Sequence, residues 1–307
     1  MQRHEGFFDS DLISRISRME LTARRIVDGF LSGKNRSSRH GFSVEFVEHR
    51  EYAPGDDLRH LDWKVLGRMD RYYIKRYEEE TNITAVILLD ASASMTYGSG
   101  GHSKFELGAY AASALGYLLH RQRDAVGLAL FDSELRAFVP PSAKRAVIAS
   151  ITARLLGAKP RGKTSLDDVV RRVAHDVPRR SLFILISDFF VPLDSFSAGI
   201  KFLEHHGHDV IVLQTLDEAE RTFPFRSNTL FRGLEERREL LTEPQRLRVR
   251  YLDALGRFLE DVKKSVTSSA YDYQLLTTGE DLGPALSTLL AVRAQRRQGV
   301  KRGRGRA

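Results

Sequence analysis

The sequence predicts an α/β protein built on a doubly wound, mostly parallel sheet that is flanked by helices. From residue 83 onward, short apolar runs alternate with segments whose apolar residues recur at helical spacing. The apolar runs are rich in Val, Ile and Leu, as is typical of parallel strands that are buried on both faces. We expect a small N-terminal helix and β module before this region and a helical insertion within it.

The first predicted element is an N-terminal helix within residues 1–35. Apolar residues recur at helical spacing between Asp9 and Gly33. Asp9 or Ser10 can cap the start of this helix, and Gly33 can end it.

Residues 36–82 are predicted to form a small β module. The segments Phe42–Tyr52 and Arg71–Tyr77 alternate polar and apolar residues as strands do, and Pro54–Gly55 marks a turn in the loop between them. A dense charged cluster in this loop has two interpretations. It is either a contact surface that braces the next domain or a set of local turn hydrogen bonds and Arg–Asp pairs. Its members are Asp56, Asp57, Arg59 and Asp62.

The main α/β domain is assigned to residues 83–217 and 271–293. Between these two parts lies an insertion, residues 218–270, whose main element is a long helix over Gln245–Val266. The second and third strands of the domain are expected to form a tight hairpin. The predicted strands are Thr84–Leu89, Ala125–Phe131, Leu135–Val139, Leu182–Ser187, Asp209–Thr215 and Tyr271–Thr277. The predicted helices are Lys104–Arg121, Ala143–Leu156, Ser165–Val177, Ser195–His206 and Leu282–Arg293.

The composition excludes several classes of site. The 307 residues include no cysteine, so disulfides, iron–sulfur clusters, thiol catalysis and cysteine-type zinc sites are ruled out. The N-terminal residues lack the apolar segment of a secretory signal. The apolar runs are also far shorter than the roughly 20 residues that a membrane-spanning helix needs. We therefore expect a cytoplasmic protein without a transmembrane segment.

The basic character of the chain is concentrated at its C-terminus. The net charge is +8, and the segment from Arg293 to Arg306 carries seven basic residues and no acidic residue. We interpret residues 294–307 as a disordered, solubilising tail. Such a tail can also bind an anionic membrane surface, an alternative that stays open, whereas nucleic acid is not the expected partner.

Carboxylate and hydroxyl side chains that could bind a ligand follow the ends of two predicted strands. Asp90, Ser92 and Ser94 follow the first strand of the α/β domain, and Asp188 follows the strand Leu182–Ser187. Ligands bind at the carboxyl ends of strands in open α/β sheets, and neighbouring parallel strands bring these ends together. Carboxylates with hydroxyls form a ligand set for a hard cation, Mg²⁺ or in its place Mn²⁺ or Ca²⁺.

Together with Thr164 in a later loop, these residues resemble the metal-ion-dependent adhesion site of von Willebrand factor A domains. The resemblance covers roughly residues 83–215 and implies a von Willebrand factor A-like fold. It further implies that Ser92, Ser94 and Thr164 bind the metal directly, and that Asp90 and Asp188 act largely through water. An open metal position would then accept an acidic side chain of a partner protein.

A further set of motifs lies mainly upstream of the metal strand, at Tyr52–Asp57, Arg59, Leu61–Trp63 and Glu78–Glu80, with Phe223–Phe225 in the insertion. In these motifs and in its terminal strand the chain resembles the bacterial "domain of unknown function 58" family, over almost all of its length except the first forty residues and the basic tail. Members of this family are usually accessory proteins to MoxR-type AAA+ ATPases. The resemblance therefore implies a non-enzymatic adaptor that works with such an ATPase in the assembly or maturation of client proteins.

One alternative function belongs to a different class. Gly157–Thr164 fits the Walker A pattern and Leu182–Asp188 resembles Walker B, which would make the protein a P-loop nucleotide hydrolase. A P-loop must follow a strand, but the residues before Gly157 have helical periodicity. Pro160 also removes one amide donor from the loop. The metal-site interpretation is therefore favoured.

Overall fold

In the computed structural model of the protein, residues 17–28, 48–51, 73–76, 83–236 and 238–304 are described. The chain divides into two compact units. One unit is Ser32–Asn82, and the other joins Met1–Leu31 to Ile83–Ala307.

The small unit contains a pair of short antiparallel strands, β1 (Glu48–Glu51) and β2 (Tyr73–Arg76). Both strands fall within segments for which alternation predicts strands. Residues 52–72 and 77–82 carry the charged cluster and the upstream motifs of the family resemblance, and they lie outside the described residues.

The large unit is built on one six-stranded sheet. The strands of the large unit are, in chain order, β3 (Thr84–Asp90), β4 (Ala125–Phe131), β5 (Leu135–Ser142), β6 (Leu182–Ser187), β7 (Asp209–Leu216), β8 (Thr229–Arg232), β9 (Glu239–Thr242) and β10 (Asp272–Thr277). The order across the six-stranded sheet is β10-β7-β6-β3-β4-β5, and every pairing is parallel except that of β4 with β5. The predicted fold class, a doubly wound and mostly parallel sheet, is confirmed.

Helices cover both faces of this sheet. They are α1 (17–28), α2 (Lys104–Arg121), α3 (Ala146–Gly157), α4 (Leu166–His175), α5 (Leu193–His205), α6 (Glu218–Thr222), α7 (Pro244–Ser268) and α8 (Leu282–Arg304). α1, α2, α3 and α8 pack on one face, and α4, α5 and α7 pack on the other. Successive residues of β3 enter opposite clusters, Ile87 with the first group of helices and Leu88 with the second, as the pleat of a strand requires. Among the described residues, none of the helices combines the length and the apolar character needed to cross a membrane.

The hairpin of β4 and β5 forms as predicted, but β5 runs on to Ser142, past the predicted end at Val139. Two prolines, Pro140 and Pro141, lie in the added part. The sheet accepts them because β5 is an edge strand, where a missing backbone donor breaks no inner ladder.

The structure corrects the description of the C-terminus. The last helix, α8, continues to Arg304, so residues 294–304 are helical where a disordered tail was predicted. Arg and Gln make up six of these eleven residues, and both favour helix. Cationic side chains at a helix C-terminus also interact favourably with the helix dipole. The positive charge that suggested disorder therefore supports a helix end.

The insertion leaves the sheet after β7. It begins with the short helix α6, continues through a hairpin of β8 and β9, and returns along α7. The two strands of this hairpin pair Thr229 with Thr242 and Arg232 with Glu239. Three aromatic rings of the insertion, Phe223, Phe225 and Phe231, contact one another at its base.

We expect Gly127→Ala to lower the free energy of unfolding by roughly 1–3 kcal/mol, because an added Cβ would overpack β4 against β5. That atom would lie 2.6 Å from the carbonyl oxygen of Val139. At Gly116 in α2 the nearest atom to an added Cβ is 3.7 Å away, so Gly116→Ala should stabilise by up to about 1 kcal/mol. Urea unfolding of both variants measures this difference, and equal effects would contradict the packing described for β4.

Candidate metal centre

An aspartate lies at the carboxyl end of each of four parallel strands, and these ends form one edge of the sheet, its carboxyl edge. Asp90 ends β3, and Asp132, Asp188 and Asp217 each follow the last residue of β4, β6 and β7. All four residues are buried, none more than 1% exposed. Four buried carboxylates at one edge raise the cost of each negative charge, so the partners of each aspartate decide what the edge can do.

Two of these aspartates have a cationic side chain as partner. Arg136 Nε lies 2.6 Å from Asp132 Oδ2 across the β4–β5 turn. Lys104 Nζ, at the start of α2, lies 2.8 Å from Asp188 Oδ2. In both cases the negative charge is compensated by an ion pair within the protein.

Asp217 is stabilised by hydrogen bonds instead. It caps α6 by accepting the Ala219 N–H at 2.8 Å, and it also accepts the Ser99 N–H at 2.9 Å and the Thr278 hydroxyl at 2.6 Å. Burial works against the charge of Asp217, but the hydrogen bonds from Ser99 and Thr278 outweigh it, and the pKa of Asp217 is lowered.

Asp90 has neither a cation nor a full set of amide donors. Its Oδ1 accepts the Ser92 N–H at 2.8 Å, and its Oδ2 accepts the hydroxyls of Thr164 at 2.9 Å and Ser187 at 2.6 Å. Within the described part of the chain it forms no ion pair. Burial, and then the nearby charge of Asp188, raise the pKa of Asp90 to about 6. The edge therefore holds one buried carboxylate whose charge the described residues leave uncompensated.

Two hydroxyls lie together on the loop that follows β3. Ser92 Oγ and Ser94 Oγ are 3.0 Å apart. A single turn of 3₁₀-helix, Ala93–Thr96, begins directly after Ser92, and its Met95 is fully buried in the core. The buried Met95 anchors this turn beside the strand end, and the turn holds the two serines next to each other.

The loop that carries Thr164 is tied to the same place by its backbone. The Arg161 N–H donates to the carbonyl of Ala91 at 2.8 Å, and the Ala93 N–H donates to the carbonyl of Gly162 at 2.9 Å. Gly162 adopts φ +76, a left-handed conformation that glycine enters without strain. These two bonds bring the Thr164 hydroxyl to Asp90.

The structure thus brings together most of the predicted constellation. Asp90 contacts Thr164 directly and Ser92 through its backbone, and Ser94 lies beside Ser92. Asp188 lies close enough to affect the pKa of Asp90, although its direct partner is Lys104. The role of these five residues as metal ligands remains a prediction.

Sequence reasoning missed two residues of the centre, Ser187 and Lys104. Ser187 donates its hydroxyl to Asp90 and accepts the N–H of Phe189 at 2.9 Å, which shapes the turn after β6. Phe189 is buried and has φ 56, an unusual value for a bulky residue and one that is found at functional sites. The signal for Ser187 was a single polar residue at the end of an otherwise apolar strand.

The P-loop alternative finds no support in the geometry. The residues before Gly157 form α3, not a strand. Two amides that would have to face phosphate are occupied, since Arg161 N–H binds Ala91 and Ser165 N–H binds Asp132. The loop lysine, Lys163, pairs with Glu236 at 3.0 Å.

The donors at this edge fit a hard cation. Thr164 donates its proton to Asp90, which leaves the lone pairs of the Thr164 oxygen available to a metal. A cation beside Asp90 would also compensate its buried charge. Among the described residues there is no cluster of three or more His, Asp or Glu side chains arranged to hold a metal. A site here would therefore consist of hydroxyls supported by two carboxylates, a donor set suited to Mg²⁺.

Comparison with known proteins identifies relatives and similar folds. Residues 48–257 match the protein family described as "Protein of unknown function DUF58". Uncharacterized proteins of Mycobacterium tuberculosis and Mycobacterium bovis are each 25% identical over 305 residues, covering 96% of this chain and 93% of the relative.

Solved structures with a similar fold include the conserved hypothetical protein BatB from Bacteroides thetaiotaomicron and the SpRpn10 VWA domain. The BatB structure is 15% identical with a TM-score of 0.46, covering 69% of this chain and 99% of that chain. The SpRpn10 VWA domain is 12% identical with a TM-score of 0.40, covering 68% of this chain and 94% of that chain.

We expect Asp90→Asn to stabilise the metal-free protein at pH 7.5, by roughly 1–3 kcal/mol in the free energy of unfolding. The folded pKa of Asp90, about 6, lies above the ordinary value of 3.8 for an aspartate. The stability linked to its proton is therefore complete below pH 4 and is lost as the pH rises through 6. Asparagine carries no such charge, so its advantage should grow over this interval.

Urea unfolding of the wild type and the variant from pH 4 to pH 8, with a chelator present, measures this difference. An advantage that is constant with pH, or that shrinks as the pH rises, would contradict a buried and uncompensated Asp90.

Proposed function

The chain belongs to the DUF58 family, and we propose that it is a non-enzymatic protein-interaction module whose partner binding depends on a divalent metal. One observation carries the proposal. Of the four aspartates buried at the carboxyl edge of the sheet, Asp90 alone lacks both an ion pair and a full hydrogen-bonded cap among the described residues. A buried charge of this kind is costly unless a cation joins it.

The hydroxyls of Ser92, Ser94 and Thr164 would bind the metal directly, and the carboxylates of Asp90 and Asp188 would interact with it largely through water. A Mg²⁺ ion bound there would supply a positive centre with a position open to a carboxylate of a partner protein. The fixed network around Asp90 fits this role, because Ser187, Thr164 and the Ser92 amide already orient its carboxylate.

The local chemistry favours binding over catalysis. The Ser92 hydroxyl lies beside the Ser94 hydroxyl and the Asp90 carboxylate, and among the described residues it has no imidazole partner. Nucleophilic serines rely on an adjacent general base. In the described part of the chain the groups around Ser92 suit metal binding better than acyl transfer.

We further propose that the partner is a MoxR-type AAA+ ATPase and that the pair acts in the assembly or maturation of client proteins. The support for this partner is the association that the family resemblance implies. The metal centre would bind an acidic side chain of the ATPase or of the client.

We expect Mg²⁺ or Mn²⁺ to raise the melting temperature of the wild type at pH 7.5. At a metal concentration about a hundredfold above the dissociation constant, the free energy of unfolding should rise by about 2.7 kcal/mol. Asp90→Asn and Thr164→Val should abolish the gain, because each removes a group that the metal needs. Thr96→Ala removes an exposed hydroxyl from the same loop and should keep the full gain. Equal metal responses in Thr164→Val and Thr96→Ala would contradict the proposed ligands.

We expect the full chain to bind a MoxR-type ATPase from the same genome in a pull-down with Mg²⁺. Chelator and Asp90→Ala should each reduce the recovered ATPase at least tenfold, since both remove the positive centre. Deletion of residues 294–307 should leave recovery unchanged if the metal centre is the contact. Binding that resists both chelator and Asp90→Ala would rule out a metal-bridged complex.

A further inference from the structure

Lys104 is an unusual charged residue among those that the structure describes. Its side chain is 1% exposed, although lysine is almost never fully buried without a partner. It is also the first residue of α2, directly after the capping Ser103, where the helix dipole disfavours a positive charge. Burial and position both oppose the ammonium group, so the pocket around it must hold it in place.

That pocket has the composition of a cation site. Lys104 Nζ lies 2.8 Å from Asp188 Oδ2 and 2.8 Å from Glu220 Oε1, and it sits 4.9 Å from the centre of the Phe190 ring. Two carboxylates and an aromatic face are the groups that stabilise a desolvated cation. The chain therefore fills this pocket with a cation of its own.

The second carboxylate of the pocket is held independently of Lys104. The other oxygen of Glu220 accepts the Asp217 N–H at 2.8 Å in the capping box of α6. Asp188 is oriented in the same way by the N–H of Phe190, at 3.2 Å from its Oδ1. Both carboxylates are thus fixed by backbone groups, and the pocket does not depend on the lysine for its shape.

We propose that Lys104 neutralises Asp188 as a cation supplied by the chain itself. The metal centre thereby keeps the positive charge that binds an anionic partner. This inference rests on the proposed function. With Lys104 in place, Asp188 is already paired, and of these two aspartates Asp90 alone keeps a charge that the described residues do not compensate. The centre then retains positive charge for an incoming carboxylate. Without Lys104, Asp188 would be released to the metal, and Glu220 would add a further negative charge nearby.

We expect two affinities to change in opposite directions. In Lys104→Gln the centre becomes more negative, so the affinity for Mn²⁺ should rise and the affinity of the Mn²⁺-loaded protein for acetate should fall, each by roughly tenfold. In Glu220→Gln the Lys104–Asp188 pair remains and a negative charge is lost, so both changes should reverse in sign. The double variant Lys104→Gln/Glu220→Gln restores the net charge but leaves Asp188 without its cation, so both affinities should lie between those of Lys104→Gln and those of the wild type.

The experiment is Mn²⁺ titration of the full chain followed by acetate titration of the loaded protein, read by water-proton relaxation and by calorimetry. Lys201→Gln removes the same charge from an exposed position on α5 and should change neither affinity by more than about twofold. Opposite shifts in Lys104→Gln, or the reversed pair of shifts in Glu220→Gln if the first variant does not fold, would support the proposal.

Two results would overturn it, and they are distinguishable. If the wild type binds no Mn²⁺, both the proposed function and this inference fail. If the wild type binds Mn²⁺ but Lys104→Gln and Glu220→Gln each weaken both affinities, and the double variant is weaker still, Lys104 is only a structural brace. The metal-dependent function would then stand without the proposed role of Lys104.

Discussion

The buried carboxylate of Asp90 is the constraint on which the rest of the centre depends. It lies at the end of the central strand β3, with β4 on one side and β6 on the other, and its side chain is inaccessible to solvent. Hydroxyls and one amide can orient such a group, but they cannot cancel its charge. Asp132 and Asp188 at the same edge each have a basic side chain as partner. This contrast makes the end of β3 the place where the edge can take up a cation.

The insertion braces the two sides of this centre. Glu220 of α6 holds Lys104 beside Asp188, and Glu236 at the β8–β9 hairpin pairs with Lys163 of the loop that carries Thr164. The first contact is buried and the second is exposed, so the first contributes more to the fixed geometry of the centre. If the insertion moved, the geometry of the metal centre would therefore change mainly through the contact between Glu220 of α6 and Lys104.

Much of the fold and part of the centre could be predicted from the sequence. Alternating apolar runs and helical periodicity gave the sheet and its helices, and the end of each strand gave the approximate place of Asp90 and Asp188. Lys104 was missed because a lysine at the start of a helix is usually exposed, and its burial depends on contacts with Asp188 and Glu220 that are distant in the chain. A signal was nevertheless present, since a positive charge at a helix N-terminus conflicts with the helix dipole. At the C-terminus, charge density suggested disorder where the helix-forming residues of α8 prevail.

Anomalous diffraction from crystals grown with Mn²⁺ would show whether a divalent cation joins Asp90 while Lys104 stays paired with Asp188. We expect one strong anomalous peak within bonding distance of the hydroxyls of Ser92, Ser94 and Thr164, with Lys104 Nζ still in contact with Asp188. A peak between Asp188 and Glu220 with Lys104 displaced, or no peak at this edge of the sheet, would contradict this expectation.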